Sequence, residues 1–179
     1  RSMDKDKLDS LLYFRVKHYD DDKDINYENH YLEQYRMYLH IFNSTSDRRN
    51  KSNEFYLGLN TAIIGVLGYL ETKNFSENNS VIFLFAPLVG IAICYCWYEI
   101  IISYKQLNRA KFRVIHDIED RLPLSLFRTE WELLGKGIDT LKYRKISSIE
   151  KNIPIIFIVL YAVIFSMNLP WDLVSLFFN

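Results

Sequence analysis

The chain has 179 residues, and its 22 basic residues are matched by 22 acidic ones, so its formal net charge is zero. This balance provides no overall basic surface for a nucleic-acid backbone, and the sequence carries no nucleic-acid-binding motif. The mean hydropathy of −0.09 is that of a water-soluble protein. However, it averages long polar segments with three uncharged stretches, at residues 55–70, 78–98 and 152–171.

The first thirty residues predict a short helix and a loop. Leucine and valine recur at helical spacing within residues 4–19, which predicts an amphipathic helix. The acidic run at residues 20–24 then interrupts the pattern. Such a run is most often a solvated loop, and the alternative is a site for a cation or a basic partner.

A second helix is predicted to begin near Tyr27. Its aromatic residues repeat at steps of three and four and form one stripe: Tyr27, Tyr31, Tyr35, Tyr38 and Phe42. The stripe is typical of a packing face, and the alternative, a stacking platform for a base or ligand, lacks a basic groove. Nothing in residues 44–53 breaks a helix, which allows it to continue into the first uncharged stretch.

The first two uncharged stretches predict an antiparallel transmembrane hairpin, with spans at 55–71 and 79–103. A bilayer core of about 30 Å needs roughly 20 apolar helical residues. Each span carries a face of small residues, which lets helices approach closely in lipid. These helix-packing residues are Gly58, Ala62, Gly65, Ala86, Gly90 and Cys94. The ten residues 71–80 connect the spans, so we expect small face to meet small face, with Asn60 and Thr61 adding interhelical hydrogen bonds.

Glu99 follows the second uncharged stretch, and Ile100 to Ile102 continue the apolar pattern. Glu99 therefore lies at or just inside the predicted membrane edge, where an ionisable group is a functional candidate. The alternative is an interfacial carboxylate that faces water or pairs with a neighbouring Arg or Lys.

The second span is predicted to continue into water as a stalk over residues 103–122. Its apolar stripe consists of Leu107, Val114, Ile118 and Leu122. A half-apolar helix in water needs a partner, and the Tyr31, Tyr35 and Tyr38 stripe matches it. The stripe is predicted to set oligomer size by packing on a neighbouring subunit. The alternative is that it packs only within its own subunit.

The remaining segments complete an all-α integral membrane protein. A short helix at 130–134 and a capping box at 147–150 precede a third apolar helix, which spans the membrane or lies at its interface. Four regions result: cytoplasmic helices at 1–54, the hairpin at 55–103, stalk and linker at 104–152, and the third helix at 153–179. Loop charges place the amino terminus and the 104–152 region in the cytoplasm.

Several motifs resemble one bacterial family. They are residues 103–119 (SYKQLNRAKFRVIHDIE), Leu122-Pro123, Asp47-Arg48-Arg49, Asn60-Thr61, Glu130-Trp131 and the segment 150–157. Together they resemble the RipA family of small octameric inner-membrane proteins, over roughly residues 30–160. The resemblance implies a bacterial inner-membrane location and a ring-like homo-octamer, and it implies no established enzymatic activity. A more distant likeness is to the two-span effectors of bacterial anti-phage systems.

The sequence favours a non-enzymatic function. It has no glycine-rich phosphate loop, nucleophile elbow or His-Glu-x-x-His motif, and it predicts no cofactor, no metal site and no nucleic-acid partner. The predicted partners are other copies of the chain and the lipid bilayer. The leading hypothesis is a self-assembling structural or regulatory scaffold. The alternatives are an oligomeric pore or membrane effector gated by its cytoplasmic helices, and a ligand-sensing receptor.

Overall fold

The computed structural model describes residues 5–13, 25–73, 80–135 and 149–169. Five α-helices and no strand occupy these ranges, so the predicted all-α class is confirmed. The helices are α1 (Lys5–Leu12), α2 (Ile25–Thr72), α3 (Ser80–Glu119), α4 (Leu126–Leu133) and α5 (Asn152–Met167). The predicted acidic loop at 20–24, the residues 74–79 of the hairpin connection and the first half of the capping box lie outside the described residues.

Two very long helices organise the molecule. With 48 and 40 residues, α2 and α3 extend about 72 and 60 Å at 1.5 Å per residue. Each passes without a break from polar to apolar sequence, so the predicted borders at 54/55 and 103/104 fall inside helices. We call residues 55–72 and 80–102, together with α5, the apolar half. We call residues 25–54 and 103–119 the stalk.

The central element of the packing is α3, because α2, α4 and α5 all lie against it. The buried centre of the apolar half contains Leu67 from α2, Phe83 and Cys94 from α3, and Tyr161 from α5. Among the described helices, α3 alone is long and apolar enough to cross a membrane on length and composition. The α5 helix is apolar but shorter, with 16 residues.

The helix ends differ slightly from the predicted ones. The α3 helix ends at Glu119 and not at Leu122, because the amides of Arg121 and Leu122 turn back to Ile118 and Glu119. The short helix begins four residues earlier than predicted, at Leu126. Its chain then reaches Gly135, whose φ of 65° suits glycine. These tight turns bring α4 back onto the tip of the stalk.

Candidate functional site

A polar cluster lies at the centre of the apolar half, where α2, α3 and α5 meet. The Asn60 side chain is fully buried. Its Oδ1 accepts hydrogen bonds from Cys94 Sγ at 3.1 Å and Tyr161 Oη at 3.0 Å. Its Nδ2 donates to the Tyr56 carbonyl at 2.8 Å. One amide therefore connects three helices with its hydrogen-bonding capacity largely used, and we call these three side chains the Asn60 cluster.

Gly90 lets α5 approach α3 beside this cluster. A Cβ built on Gly90 would lie 2.6 Å from both Cε1 and Cε2 of the Tyr161 ring. Separations this short do not occur between real side chains, so only glycine leaves room for the ring. The Tyr161 side chain is fully buried as a result, and its hydroxyl reaches Asn60.

An aromatic layer borders the Asn60 cluster on the stalk side. The Trp97 side chain is buried, and its Nε1 donates to Asn53 Oδ1 at 3.0 Å. The Tyr56 ring stacks on Trp97 with centroids 5.8 Å apart and an interplanar angle of 10°. Phe157 of α5 lies 6.3 Å from the same indole. Rings with one polar atom are enriched where a membrane meets water, and this layer lies where the sequence changes from apolar to polar.

An ion pair lies at the same boundary between the apolar half and the stalk. Arg49 Nη2 lies 3.8 Å from Glu150 Oε1, and both side chains are largely buried. Within the part of the chain that the structure describes, Arg49 Nε and Glu150 Oε2 have no hydrogen-bond partner. The pair joins α2 to the chain just before α5, so it complements the Asn60 cluster in holding α5 to the long helices.

The stalk is held by a different set of contacts, one of which buries a lysine. Lys111 is 9% exposed. Its Nζ donates to Thr45 Oγ1 and, at 3.3 Å, to the Ile41 carbonyl. Burial lowers the pKa of Lys111, and the nearby charge of Arg48 lowers it further. Lys111 of α3 thus binds α2 through two uncharged acceptors.

A buried carboxylate lies at the tip of the stalk, where α3 ends. Glu119 is 1% exposed, and its two oxygens accept the Phe127 amide at 2.8 Å and the Arg128 amide at 3.1 Å. These amides belong to the first turn of α4, whose N-cap residue, Ser125, makes no side-chain capping hydrogen bond. Glu119 therefore caps α4 from another helix and satisfies donors that a helix start leaves free.

Further contacts hold α4 against the stalk. Phe42, Phe112 and Phe127 form an edge-to-face group whose closest centroids, those of Phe42 and Phe112, are 5.0 Å apart. Arg128 pairs with Asp120 and donates to the His116 carbonyl at 3.4 Å. The first turn of α4 is thus fixed by a cap, an aromatic contact and an ion pair.

The amino-terminal helix also reaches the stalk tip. The guanidinium of Arg121 lies 3.3 Å from the centroid of the Tyr13 ring, in a cation–π arrangement. Tyr31 Oη donates to the Ile118 carbonyl at 2.8 Å. Burial raises the pKa of the Tyr31 phenol strongly, and its hydrogen bond with Tyr13 adds to that rise. Both tyrosines therefore remain neutral donors at physiological pH.

The predicted helix-packing residues fall on two different surfaces. On α3, Gly90 and Cys94 are buried and Ala86 is half-buried. On α2, Gly58, Ala62 and Gly65 are exposed, on the side of the helix opposite Asn60. The small faces of α2 and α3 therefore do not meet within the subunit, because Asn60 and its large neighbours occupy the α2 face toward α3. A packing role for Gly58, Ala62 and Gly65 stays a prediction about contacts outside the subunit.

The predicted assembly stripe is only partly covered. Val114, Ile118 and Leu122 are half-buried, and Leu107 is 43% exposed. The aromatic residues Tyr31, Tyr35 and Tyr38 on α2 are half-buried as well. The fully buried seam of the α3 stalk lies beside the predicted stripe, at Lys111, Ile115 and Glu119.

The three predicted intramembrane polar residues have different environments. Asn60 is the centre of the buried cluster. Thr61 is exposed, and its hydroxyl donates to the Leu57 carbonyl of its own helix at 2.8 Å. Glu99 is exposed on α3. Interhelical hydrogen bonds were predicted for Asn60 and Thr61, and among the described residues Asn60 makes them whereas Thr61 bonds within its own helix.

Neither Tyr161 nor the capping role of Glu119 was predicted from the sequence. Tyr161 carries the only polar side-chain group in the run 153–165 of α5, and this hydroxyl in an apolar segment was the available signal in the sequence. Glu119 lies four residues before Pro123, where a carboxylate gives no indication of a helix beginning beyond the turn. Among the described residues, no group of three or more His, Cys, Asp or Glu is arranged to hold a metal ion.

These features define a helical protein with a hydrogen-bonded interior and an apolar exterior in one half, which is the arrangement of a membrane protein. The chain belongs to the octameric membrane protein family (8xMP), whose model matches residues 32–170. The membership supports a self-assembling membrane protein that forms octamers. No curated protein and no solved structure matches the chain.

Proposed function

We propose that the protein is a non-enzymatic subunit of a ring-like homo-octamer in the bacterial inner membrane, where it acts as a structural or regulatory scaffold. In this proposal α2 and α3 cross the membrane as a hairpin and α5 forms a third membrane helix. The stalk and the amino terminus lie in the cytoplasm. Residues 103–119 are the reason to group the chain with the RipA proteins.

One observation carries the membrane arrangement. The interior of the apolar half holds the Asn60 cluster, whereas its exterior is covered by large apolar side chains. Those at least 50% exposed include Phe55, Val66, Val81, Phe85, Val89, Ile156, Val159 and Val163. In water this surface is unfavourable at about 25 cal/mol per Å² of apolar area. In lipid it costs nothing, and the buried hydrogen bonds then become the specific contacts between helices.

The assembly role is supported by the stalk, where exposed apolar side chains continue outside the apolar half. Met37 and Ile41 are 56% and 53% exposed on α2, and Leu107 is 43% exposed on α3. A neighbouring stalk would cover such residues, which lipid does not reach.

Cysteine labelling of the membrane-inserted protein tests the arrangement. Phe75→Cys is expected to react with a membrane-impermeant reagent from outside the cell. Asp20→Cys and Glu130→Cys are expected to react only after the membrane is opened. Labelling at residue 130 but not at residue 75 in intact cells would invert the topology. Native mass spectrometry of the wild-type protein in detergent is expected to give the octamer.

A pore is the second candidate, and the exposed Glu54, Thr61 and Glu99 favour it. In an octamer these positions provide rings of polar groups that could face a central axis. Conductance of purified protein in liposomes distinguishes the two functions. A scaffold is expected to give no current above that of empty liposomes, and a pore is expected to give a current that changes with Glu54→Gln.

A further inference from the structure

Arg48 and Lys51 of α2 are cations without a counter-ion among the described residues. Arg49, which lies between them, pairs with Glu150. Arg48 and Lys51 are exposed instead, and neither forms an ion pair within the part of the chain that the structure describes. Exposed cations in water are ordinary, so the meaning of these two depends on where along α2 they lie.

The two cations share one side of α2 with the first exposed aromatic residue of the apolar half. Arg48, Lys51, Ser52 and Phe55 follow one another at i, i+3, i+4 and i+7, the spacing that places residues on one side of a helix. Phe55 is 63% exposed, and Ser52 is half-buried. This side of α2, which we call the Arg48 face, therefore changes from apolar to cationic within two turns.

The Arg48 face lies at the depth of lipid phosphates when the apolar half occupies the bilayer. Lys51 and Arg48 precede Phe55 by four and seven residues, which is about 6 and 10 Å along the helix axis. The polar layer on each side of the hydrocarbon core is about 5–7 Å thick. Long cationic side chains can also bend to bring their charge into that layer. Both charged groups can therefore reach the lipid headgroups.

The positive charge at this level of the stalk is not neutralised by the contacts of Lys111. The Lys111 ammonium donates to two uncharged acceptors, Thr45 Oγ1 and the Ile41 carbonyl. Thr45 lies one turn from Arg48 on α2, and the charge of Arg48 adds to the effect of burial in lowering the pKa of Lys111. An anion bound at Arg48 would offset this repulsion.

We propose that the Arg48 face binds the headgroup of an anionic phospholipid. The guanidinium of Arg48 can donate to two phosphate oxygens at once, Lys51 adds a second positive charge, and Ser52 adds a hydroxyl donor. An acyl chain of the same lipid would lie along Phe55, which a free phosphate ion would not contact. Basic surfaces next to membrane helices attract lipids of this charge. The inference rests on the membrane insertion of the proposed function and adds a class of ligand.

Two carboxylates near this face weaken its attraction for a phosphate and provide one test. Asp47 and Glu54 are exposed, and they lie one residue before Arg48 and three residues after Lys51. Asp47→Asn removes one of these negative charges. It is expected to bind an anionic lipid up to about fivefold more tightly, which is the effect of one charge at a lipid surface.

Native mass spectrometry of the detergent-solubilised protein, titrated with phosphatidylglycerol, measures the binding. The test variant carries Arg48→Gln and Lys51→Gln, and it is expected to lose about thirtyfold in affinity because each cation contributes about fivefold. The control carries Arg36→Gln and Arg113→Gln, which removes two exposed cations of the stalk farther from the apolar half, and it should bind as the wild type does. Zwitterionic phosphatidylcholine should bind the wild type about tenfold more weakly or less.

Three results would overturn the inference. One is wild-type affinity for phosphatidylglycerol in the test variant, which would place the binding elsewhere. Another is equal affinity for the two lipids, which would show that the headgroup charge is not recognised. The third is displacement of phosphatidylglycerol by inorganic phosphate, which would indicate a site for a free anion.

Two further measurements keep these outcomes distinct. Circular dichroism should give the test variant the helix content of the wild type, because both cations are exposed. If that content falls, Asp47→Asn decides, and unchanged affinity in that variant would count against the Arg48 face. Flotation of the wild type with phosphatidylcholine vesicles is measured first. A chain that stays in water would overturn the proposed function together with this inference, whereas the three results above leave membrane insertion standing.

Discussion

The apolar half and the stalk use the same two helices but are held together by opposite chemistry. In the apolar half, the specific contact is a hydrogen-bonded cluster around Asn60, surrounded by apolar side chains that also cover the exterior. In the stalk, the Phe42 and Phe112 rings pack together. Lys111 connects α3 to α2, and Glu119 connects α3 to α4. A continuous helix thus changes its manner of packing where its sequence changes character.

The difference follows from the solvent each half is built for. Where the surroundings are apolar, burying an apolar side chain gains little, so close approach and hydrogen bonds distinguish one helix arrangement from another. Where the surroundings are water, burying aromatic rings is the main favourable term. The buried polar side chains of Lys111 and Glu119 are then tolerated because each has hydrogen-bond partners. Substitutions in each half should therefore fail for different reasons.

The largest effect is expected at Gly90. Gly90→Ala places a methyl group 2.6 Å from two Tyr161 ring carbons, so α5 must move away from α3. We expect a loss of about 3 kcal/mol in the free energy of unfolding, at the upper end for overpacking. Unfolding in mixed micelles with increasing SDS measures it. Gly68→Ala is the matched control, because it has open space and should be neutral or slightly stabilising. Equal stability of the two variants would contradict the close contact.

Asn60→Leu should have the next largest effect. It removes the acceptor of the Cys94 and Tyr161 hydrogen bonds while keeping a similar volume. We expect a loss of about 2 kcal/mol, because two buried donors lose their partner. The same SDS titration applies. Thr61→Val, on the adjacent exposed position, should change stability by less than about 0.5 kcal/mol. A wild-type midpoint for Asn60→Leu would mean that the cluster is not a stabilising contact.

Sequence reasoning succeeded where periodicity and length decide the outcome. The all-α class follows from residues with helical spacing, whereas membership of an octameric membrane protein family was indicated only by the resemblance carried by motifs such as residues 103–119. The sequence did not indicate which side of a helix faces the interior of the subunit. Asn60 and Thr61 are adjacent and both polar, yet only Asn60 is buried. The choice depends on Tyr161, which is 101 positions away in sequence, and no local pattern encodes that partner.

The stalk shows the same limit for a different reason. The stripe of Leu107, Val114, Ile118 and Leu122 is the more hydrophobic face, but the most buried positions include Lys111 and Glu119. Their burial depends on acceptors and donors from other elements: the Ile41 carbonyl of α2 and the Phe127 amide of α4. Hydrophobic periodicity does not identify a buried charge whose partners are backbone groups of another segment.

At the stalk tip, Glu119→Ala should release the start of α4. The carboxylate accepts two amides of the first turn, and losing an N-terminal cap typically costs about 1–2 kcal/mol. Hydrogen exchange should become faster at the Phe127 and Arg128 amides, while the amides of the apolar half stay protected. Glu130→Gln, an exposed change within α4 itself, is the control. Unchanged exchange at both amides would show that Glu119 is dispensable as a cap.

The smallest effect is expected at the boundary between the two halves. Arg49→Gln should cost about 0.5–1 kcal/mol, because the pair with Glu150 is long at 3.8 Å, desolvation of the two charges offsets much of the attraction in a largely buried pair, and the Gln amide can still donate to the carboxylate. Reversing the pair, with Arg49→Glu and Glu150→Arg together, should recover part of the loss in SDS titrations. Recovery would show that attraction between α2 and the start of α5 operates at the boundary. If the double variant is no better than the sum of its single changes, the two side chains are not coupled, and α5 is held by contacts such as the Asn60 cluster, Gly90 and the Phe157–Trp97 rings without help from this pair.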